Sequence, residues 1–357
     1  SQRERLLPAP AVVYYVMALA LWREAPLEEV LRVVCEGLAW LGAGKADAVL
    51  ASKSAISQAR TRLGPAVMKQ LAQRVLQPIA PPQAPGAWFR GWRLMALGGR
   101  CMDVADESGN AAYFGYPASS RGDSAFPQAR VLCLVECGTH VVTAASIAPY
   151  ETSEQAMAGE WLSARLAPDM LVLADRNFYG FKLWEQACAS GAKLLWRVKS
   201  NLILEVEDEL PDGSYLSTVF DSQDRQRKSG LKVRVIDYTL VDSATPVQDG
   251  YRLVSNLLDA EAAPALELAA VYHERWEIGS MFDVIKTHRR SNSTVLRSKT
   301  PELVEQELWG LLLAHFALRQ LMVQAAWNRG LDLDVLSFAH ALRVVRRKRP
   351  QAADVSS

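Results

Sequence analysis

Three side chains able to grip an anion fall on one face of a helical stretch late in the chain. Over Tyr272-His273-Glu274-Arg275-Trp276-Glu277-Ile278-Gly279-Ser280-Met281-Phe282-Asp283-Val284-Ile285-Lys286, a turn of about 100° per residue places Tyr272, Arg275, position 279 and Lys286 at about 0°, 300°, 340° and 320°. A phenol, a guanidinium and an ammonium on one narrow face are what a site-lining helix requires. Position 279 is a glycine, which costs about 1 kcal/mol of helix propensity relative to alanine. Glu277 lies at about 140° and faces away, whereas Asp283, at about 20°, is the carboxylate that shares the face.

A second acidic candidate stands at a strand end. Val172-Leu173-Ala174 is an apolar run that reads as a strand, and Asp175 follows it where a charge can emerge into a cleft. A solvated strand-end aspartate is the plainer reading of that residue taken alone.

The elements that would position these groups follow from hydrophobic periodicity. Residues 1–80 read as helical, with apolar residues at helical intervals over Ala11 to Leu21 and Pro26 to Leu41. Ser52 to Gly64 reads as a Ser-capped helix with a polar, basic face that includes Lys53, Arg60 and Arg62, either a recognition helix or a solvated one. Pro78 to Gly86 is proline-rich and marks a boundary, with a linker over 81–91. Strands are expected over Trp92 to Val104, Ala129 to Glu136, His140 to Ile147 and Met170 to Ala174, with helices over Ser153 to Leu166 and Phe181 to Ser190. A β-rich insertion is expected over 194–260, turning at Pro211-Asp212-Gly213. A helix over 266–286 and long helices over 301–327 follow, then a basic C-terminal segment over 331–357, whose stretch Arg343 to Arg349 reads as phosphate-contacting or, over 346–349, as a solvated tail. Strands interleaved with helices give a mixed α/β class, divided into 1–80, 92–193, the insertion and 261–330.

The spacing of Tyr272, Arg275 and Lys286 resembles the YREK signature of bacterial insertion-sequence DDE transposases (Tyr, two residues, Arg, three residues, Glu, six residues, Lys). The resemblance extends over nearly the whole chain. It includes Ser119-Ser120-Arg121-Gly122, Val135-Glu136-Cys137-Gly138-Thr139-His140, Ala174-Asp175-Arg176-Asn177-Phe178-Tyr179 and Leu195-Trp196-Arg197-Val198-Lys199-Ser200-Asn201. It implies an α/β, ribonuclease-H-like core with a β-rich insertion before the last catalytic helix, and an all-helical N-terminal DNA-binding domain.

In that family three carboxylates hold two divalent metals, usually magnesium, for phosphodiester chemistry. The resemblance assigns Asp175 to the second. At the first, Leu97-Gly98-Gly99-Arg100 stands where relatives carry Ile-Asp-Gly-Thr, and at the third Gly279 replaces the glutamate. Asp103 lies five residues from Gly98 and points to the other face of a strand, whereas Arg100, two residues away, shares the face. Arg100 is then either a partner for Asp175 or a turn residue facing water. Asp283 is a weak substitute, because relatives that keep the glutamate also carry an aspartate there.

The implied protein is a transposase body, domesticated or inactivated, without high-affinity metal binding or another cofactor. DNA is the expected partner, through Tyr272, Arg275, Lys286, Arg289, Arg290 and the basic helix. The alternative is an enzyme reusing the vacated cleft for a small anionic or carbonyl-bearing molecule, with Asp175 as acid/base. A homodimer is compatible with either.

Bulk properties fit. The 357 residues are 50% hydrophobic and 22% charged, ample for a large core. Net charge is +1, so DNA affinity must come from local patches. The five cysteines form no CxxC pair and read as reduced core residues in a cytoplasmic protein. Ala11 to Trp22, the longest apolar run, is too short to span a bilayer. A first residue of Ser is expected of a trimmed start.

Overall fold

A computed structural model describes residues 7–40, 51–119, 122–242, 245–275, 279, 281–282 and 295–347, and the statements below refer to these. Helices α1 (Ala9–Leu21), α2 (Leu27–Trp40) and α3 (Lys53–Val75) open the chain. The Ser52 hydroxyl accepts the amide of Ala55 at 3.3 Å, so the expected cap of α3 is present. Gly64 (φ 70°, ψ 169°) and Pro65 break α3 into two halves.

The core follows as β1 (Trp88–Phe89), β2 (Trp92–Asp103), α4 (Ser108–Phe114), the short β3 (Ala118–Ser119) and β4 (Gly122–Asp123), β5 (Gln128–Glu136) and β6 (Val141–Pro149). Then come α5 (Glu154–Trp161), β7 (Met170–Ala174), α6 (Phe181–Ala189) and β8 (Lys193–Arg197). In the sheet these core strands run β6-β5-β2-β7-β8, with β5 antiparallel to β2 and to β6, and with β7 parallel to β2 and to β8. Three antiparallel strands joined through the first to two parallel ones is the ribonuclease-H-like order that the sequence implied. β9 (Asp208–Glu209), β10 (Tyr215–Val219), β11 (Leu231–Asp242) and β12 (Thr245–Ser255) extend the sheet beyond β8. The expected insertion therefore starts later than residue 194, because Lys193–Arg197 is the fifth core strand.

Strand alternation sorts the core onto two sides. Leu94, Ala96 and Met102 of β2 join Tyr15, Met68, Leu308 and Trp309 on one side. Met95 and Leu97 face Met157 of α5 and Trp184 of α6 on the other. There Trp184 and Trp196, both fully buried, meet edge to face at 5.2 Å. The N-terminal helices share the first cluster with α8 (Pro301–Trp327), so they are packed onto the core rather than forming a separate body.

The proline-rich segment is likewise held down. The fully buried Glu136 carboxylate accepts the amides of Ile79 (3.1 Å) and Ala80 (2.9 Å) and pairs with Arg93. Two further expectations change. Residues 338–347 form helix α9 (Phe338–Arg347), whose Phe338 and Leu342 pack with Leu318 and Met322 of α8, so Arg346 and Arg347 belong to a helix rather than to a solvated tail, while 348 and 349 lie outside the described residues. The helix expected over 266–286 is α7 (Ala265–His273), which ends before Arg275. Residues 279, 281 and 282 are again helical.

Candidate functional site

Asp175 follows β7 directly, and β2 pairs with β7 in parallel up to Leu97↔Ala174. Gly98 therefore stands beside Asp175 in register. Their side-chain positions share the sheet face of Leu94, Ala96, Leu171 and Leu173, against which Tyr272, Met281 and Phe282 also pack. Gly98 is buried, and its antiparallel neighbour across β5 is the buried Cys133. Arg100 continues β2 as a half-buried strand residue, so the reading as a turn residue is not met.

The start of α7 is fixed from the insertion. The fully buried Arg234 pairs with Asp212 and donates to the carbonyl of Ala263 at 2.6 Å, while Asp212 accepts the amide of Ala265 at 2.8 Å. From that anchor α7 carries Tyr272 and the following turn to Asp175. The Tyr272 hydroxyl donates to the carbonyl of Ala174 at 3.3 Å. Arg275 Nη1 lies 3.9 Å from Asp175 Oδ2, and its guanidinium sits 5.5 Å from the Tyr272 ring centre. Asp175 Oδ1 accepts the amide of Arg176 at 2.6 Å. Burial pushes the Tyr272 hydroxyl up to about 12, with Arg275 and Arg197 pulling it down and Asp175 pushing it further up. Tyr272 is thus a protonated donor at neutral pH.

Sequence reasoning missed the groups that border this site. Arg197, at the end of β8, lies 4.0 Å over the Tyr251 ring. Tyr251 and Tyr238 stack at 5.2 Å, and the Tyr238 hydroxyl lies 3.3 Å from His273 Nε2. Only the placement of Arg197 in a motif and of His273 beside Tyr272 hinted at a role. Glu154, at the start of α5, fills the space where a side chain on Gly99 would lie and sits 3.9 Å from Arg130. Burial raises its carboxyl above the ordinary range, Arg130 opposes this, and Asp175 adds to it.

Gly279 is helical and half-buried, and a Cβ built on it meets none of the described atoms within 4 Å. Lys286, Asp283, Arg289 and Arg290 lie outside the described residues. The basic N-terminal face is only partly as expected. Lys53, Ser54, Ser57, Gln58, Thr61 and Arg62 of α3 are exposed. Arg60 instead points inward and is buried, donating to Gln306 Oε1 (2.8 Å) and Ser298 Oγ (3.0 Å), so it is not available to touch a partner. Among the described residues, no three His, Cys, Asp or Glu side chains are grouped to hold a metal ion, and no helix is long and apolar enough to cross a membrane.

Family models and relatives match most of the chain's length. The family model described as "Insertion element 4 transposase N-terminal" matches residues 1–73, and "Transposase DDE domain" matches residues 101–317, a span that includes Asp175 and Gly279 but begins after Gly98. The chain is 28% identical over 352 residues to the transposase InsG for insertion sequence element IS4 of Escherichia coli (strain K12), covering 97% of this chain and 77% of that protein. It is 27% identical over 195 residues to the putative transposase InsZ of the same organism, covering 54% of this chain and 62% of that one. Among solved structures, a piggyBac transposase synaptic complex with hairpin DNA aligns at a TM-score of 0.48 and 11% identity, covering 94% of this chain and 70% of that one. With a family model spanning more than half its length, the chain belongs to the DDE-domain transposases, of the insertion-element-4 kind.

Proposed function

We propose that this transposase-family chain binds DNA without cutting or joining strands. The observation that carries the reading is the Asp175 carboxylate, with the Arg275 guanidinium 3.9 Å away and glycines at the two partner positions, 98 and 279. Two-metal phosphodiester chemistry needs hard anionic oxygens converging on both ions. Among the described residues at the family positions, one carboxylate beside a guanidinium is a poor donor set for that purpose. The described residues at these positions do not fit the divalent metals that the family implies.

What remains suits a polyanion. Arg275 and Arg197 border Tyr272, and the exposed Ser54, Ser57, Gln58, Thr61 and Arg62 of α3 offer hydroxyl, amide and guanidinium donors on one helix face. Such side chains are suited to phosphates and base edges of a duplex. The competing reading, a small-molecule enzyme, needs Tyr272 or Lys286 as a partner to Asp175. Tyr272 is held protonated and donates to Ala174, which favours a fixed donor over a base.

The test pairs an electrophoretic shift on random-sequence duplexes with a nicking assay in magnesium and manganese. Binding that weakens steeply with salt, without nicking, is the expected result. No shift at low salt, or metal-dependent nicking by the unaltered chain, would overturn it.

A further inference from the structure

α3 is halved at Gly64, and the break leaves carbonyls of its first half in need of partners. Gln306, fully buried on α8, supplies them: its Nε2 donates to the carbonyls of Arg60 (3.0 Å) and Gly64 (3.1 Å). Its Oε1 in turn accepts Arg60 Nε at 2.8 Å. One amide thereby caps the end of the half-helix and fixes its rotation, because Arg60 cannot leave the buried side without breaking the cap.

The same guanidinium reaches further. Arg60 Nη2 donates to Ser298 Oγ and to the carbonyl of Leu303, both at 3.0 Å. The Ser298 amide and hydroxyl both donate to the buried Glu307 carboxylate. Two residues earlier, the amide of Leu296 donates to the carbonyl of Asp103 at 2.9 Å, joining this segment to the end of β2. β2 is the strand that carries Gly98 beside Asp175. Buried hydrogen bonds therefore tie the first half of α3 to Ser298, and the backbone from Ser298 to Leu296 ties that point to the end of the strand beneath the Asp175 site. Buried polar networks of this kind favour one geometry over others, because a partly satisfied alternative leaves charges and amides without partners.

We infer that Gln306 and Arg60 are positioning residues that lock the exposed face of α3 in fixed orientation to the Asp175 site, so that both engage one duplex only at a fixed helical phase. This rests on the DNA-binding reading above. Neither residue touches DNA; each acts through the half-helix it holds.

The test selects duplexes from a random library with the full chain and footprints them by hydroxyl radical. The segment whose protection weakens most in Arg62→Ala is that of α3, and the segment that weakens most in Arg275→Ala is that of the Asp175 site. Half a helical turn (~5 bp) or a whole turn (~10 bp) of DNA is then inserted between the two. For the parent chain, half a turn is expected to weaken binding roughly 100-fold and a whole turn much less, because joint engagement depends on both sites facing the same side. Gln306→Glu keeps the acceptor for Arg60 but removes the donor to both carbonyls. Its half-turn penalty is expected to fall below about threefold, while affinity for a duplex carrying the α3 segment alone stays at the parent's value. A merely structural residue would weaken all duplexes alike and leave the phase dependence intact. Arg60→Lys, which keeps the charge and loses the fork, reads the same coupling if Gln306→Glu does not fold.

A folded variant that keeps the parent's full penalty overturns the inference, as does a parent footprint of a single segment. In both of those cases DNA binding itself still stands. A parent chain that shifts no duplex at low salt overturns the inference together with the reading on which it rests.

Discussion

Arg275 Nη1 stands 3.9 Å from Asp175 Oδ2, and that carboxylate also accepts the amide of Arg176. A cationic side chain thus occupies the neighbourhood of the Asp175 carboxylate.

If Asp175 holds Arg275 back from phosphate, neutralising it should strengthen DNA binding. Asp175→Asn is expected to raise affinity for duplex DNA about two- to tenfold at low salt and to steepen the salt dependence by about one phosphate contact. Titrations of parent and variant across a salt series check this, and a weaker or unchanged affinity would count against the pairing.

The two glycines can be refilled. Gly279 has helical backbone and none of the described atoms near its missing Cβ, so Gly279→Ala should stabilise the protein by up to about 1 kcal/mol in urea unfolding. Gly98→Asp combined with Gly279→Glu is expected to produce magnesium-dependent nicking that neither change gives alone, since the metal cage needs all of its walls. A folded double variant without nicking would mean that more than the ligands has changed.

On α3, contacts of different kinds should separate. Arg62→Ala is expected to weaken all duplexes similarly and to lower the salt slope by about one. Gln58→Ala should cost about 1–3 kcal/mol on a selected site and relax the preference at one base position. Competition binding with single-base variants of the selected site distinguishes the two patterns.

The proline-rich segment 78–86 depends on Glu136. Its carboxylate is fully buried among Arg93, two backbone amides and the Thr139 hydroxyl, 2.6 Å away. Glu136→Ala leaves Arg93 and those donors without their acceptor and should cost about 3–5 kcal/mol. Urea unfolding gives the stability, and limited proteolysis should cut first within 78–86.

Glu154 gives a pH dependence of definite sign. Its carboxyl is raised in the folded protein, by burial first, so the unfolded chain ionises at lower pH than the folded one. Stability from this group is complete below the unfolded value and is lost as pH rises through the folded value. Glu154→Gln removes that loss. The stability of the variant relative to the parent should therefore rise between about pH 3 and pH 7. A flat difference across that range would contradict the raised value.

Much of the core was legible because its determinants are local. The apolar runs over β2, β5 and β7 follow from branched and apolar residues between turn signals, and Ser52 marks the start of α3 because a hydroxyl caps the amide three residues on. Strand parity alone puts Gly98 and Arg100 on one face. The motif around Asp175 and the spacing of Tyr272 and Arg275 identified the family before any contact was known. What periodicity could not give was the break after His273, the inward turn of Arg60 or the packing of α9, because each is decided by partners distant in sequence. Arg60 reads as a surface cation among Ser, Gln and Thr until Gln306 and Ser298 are brought beside it. Lys193–Arg197 reads like the insertion that follows it until parallel pairing with β7 makes it the fifth core strand. The sequence by itself determined which side chains stand at these positions, Asp175, Tyr272 and Arg275 among them, with glycine at 98 and 279. Tertiary structure decided what the Asp175 carboxylate faces and which basic groups stay exposed, because burial and pairing depend on the whole arrangement of neighbours.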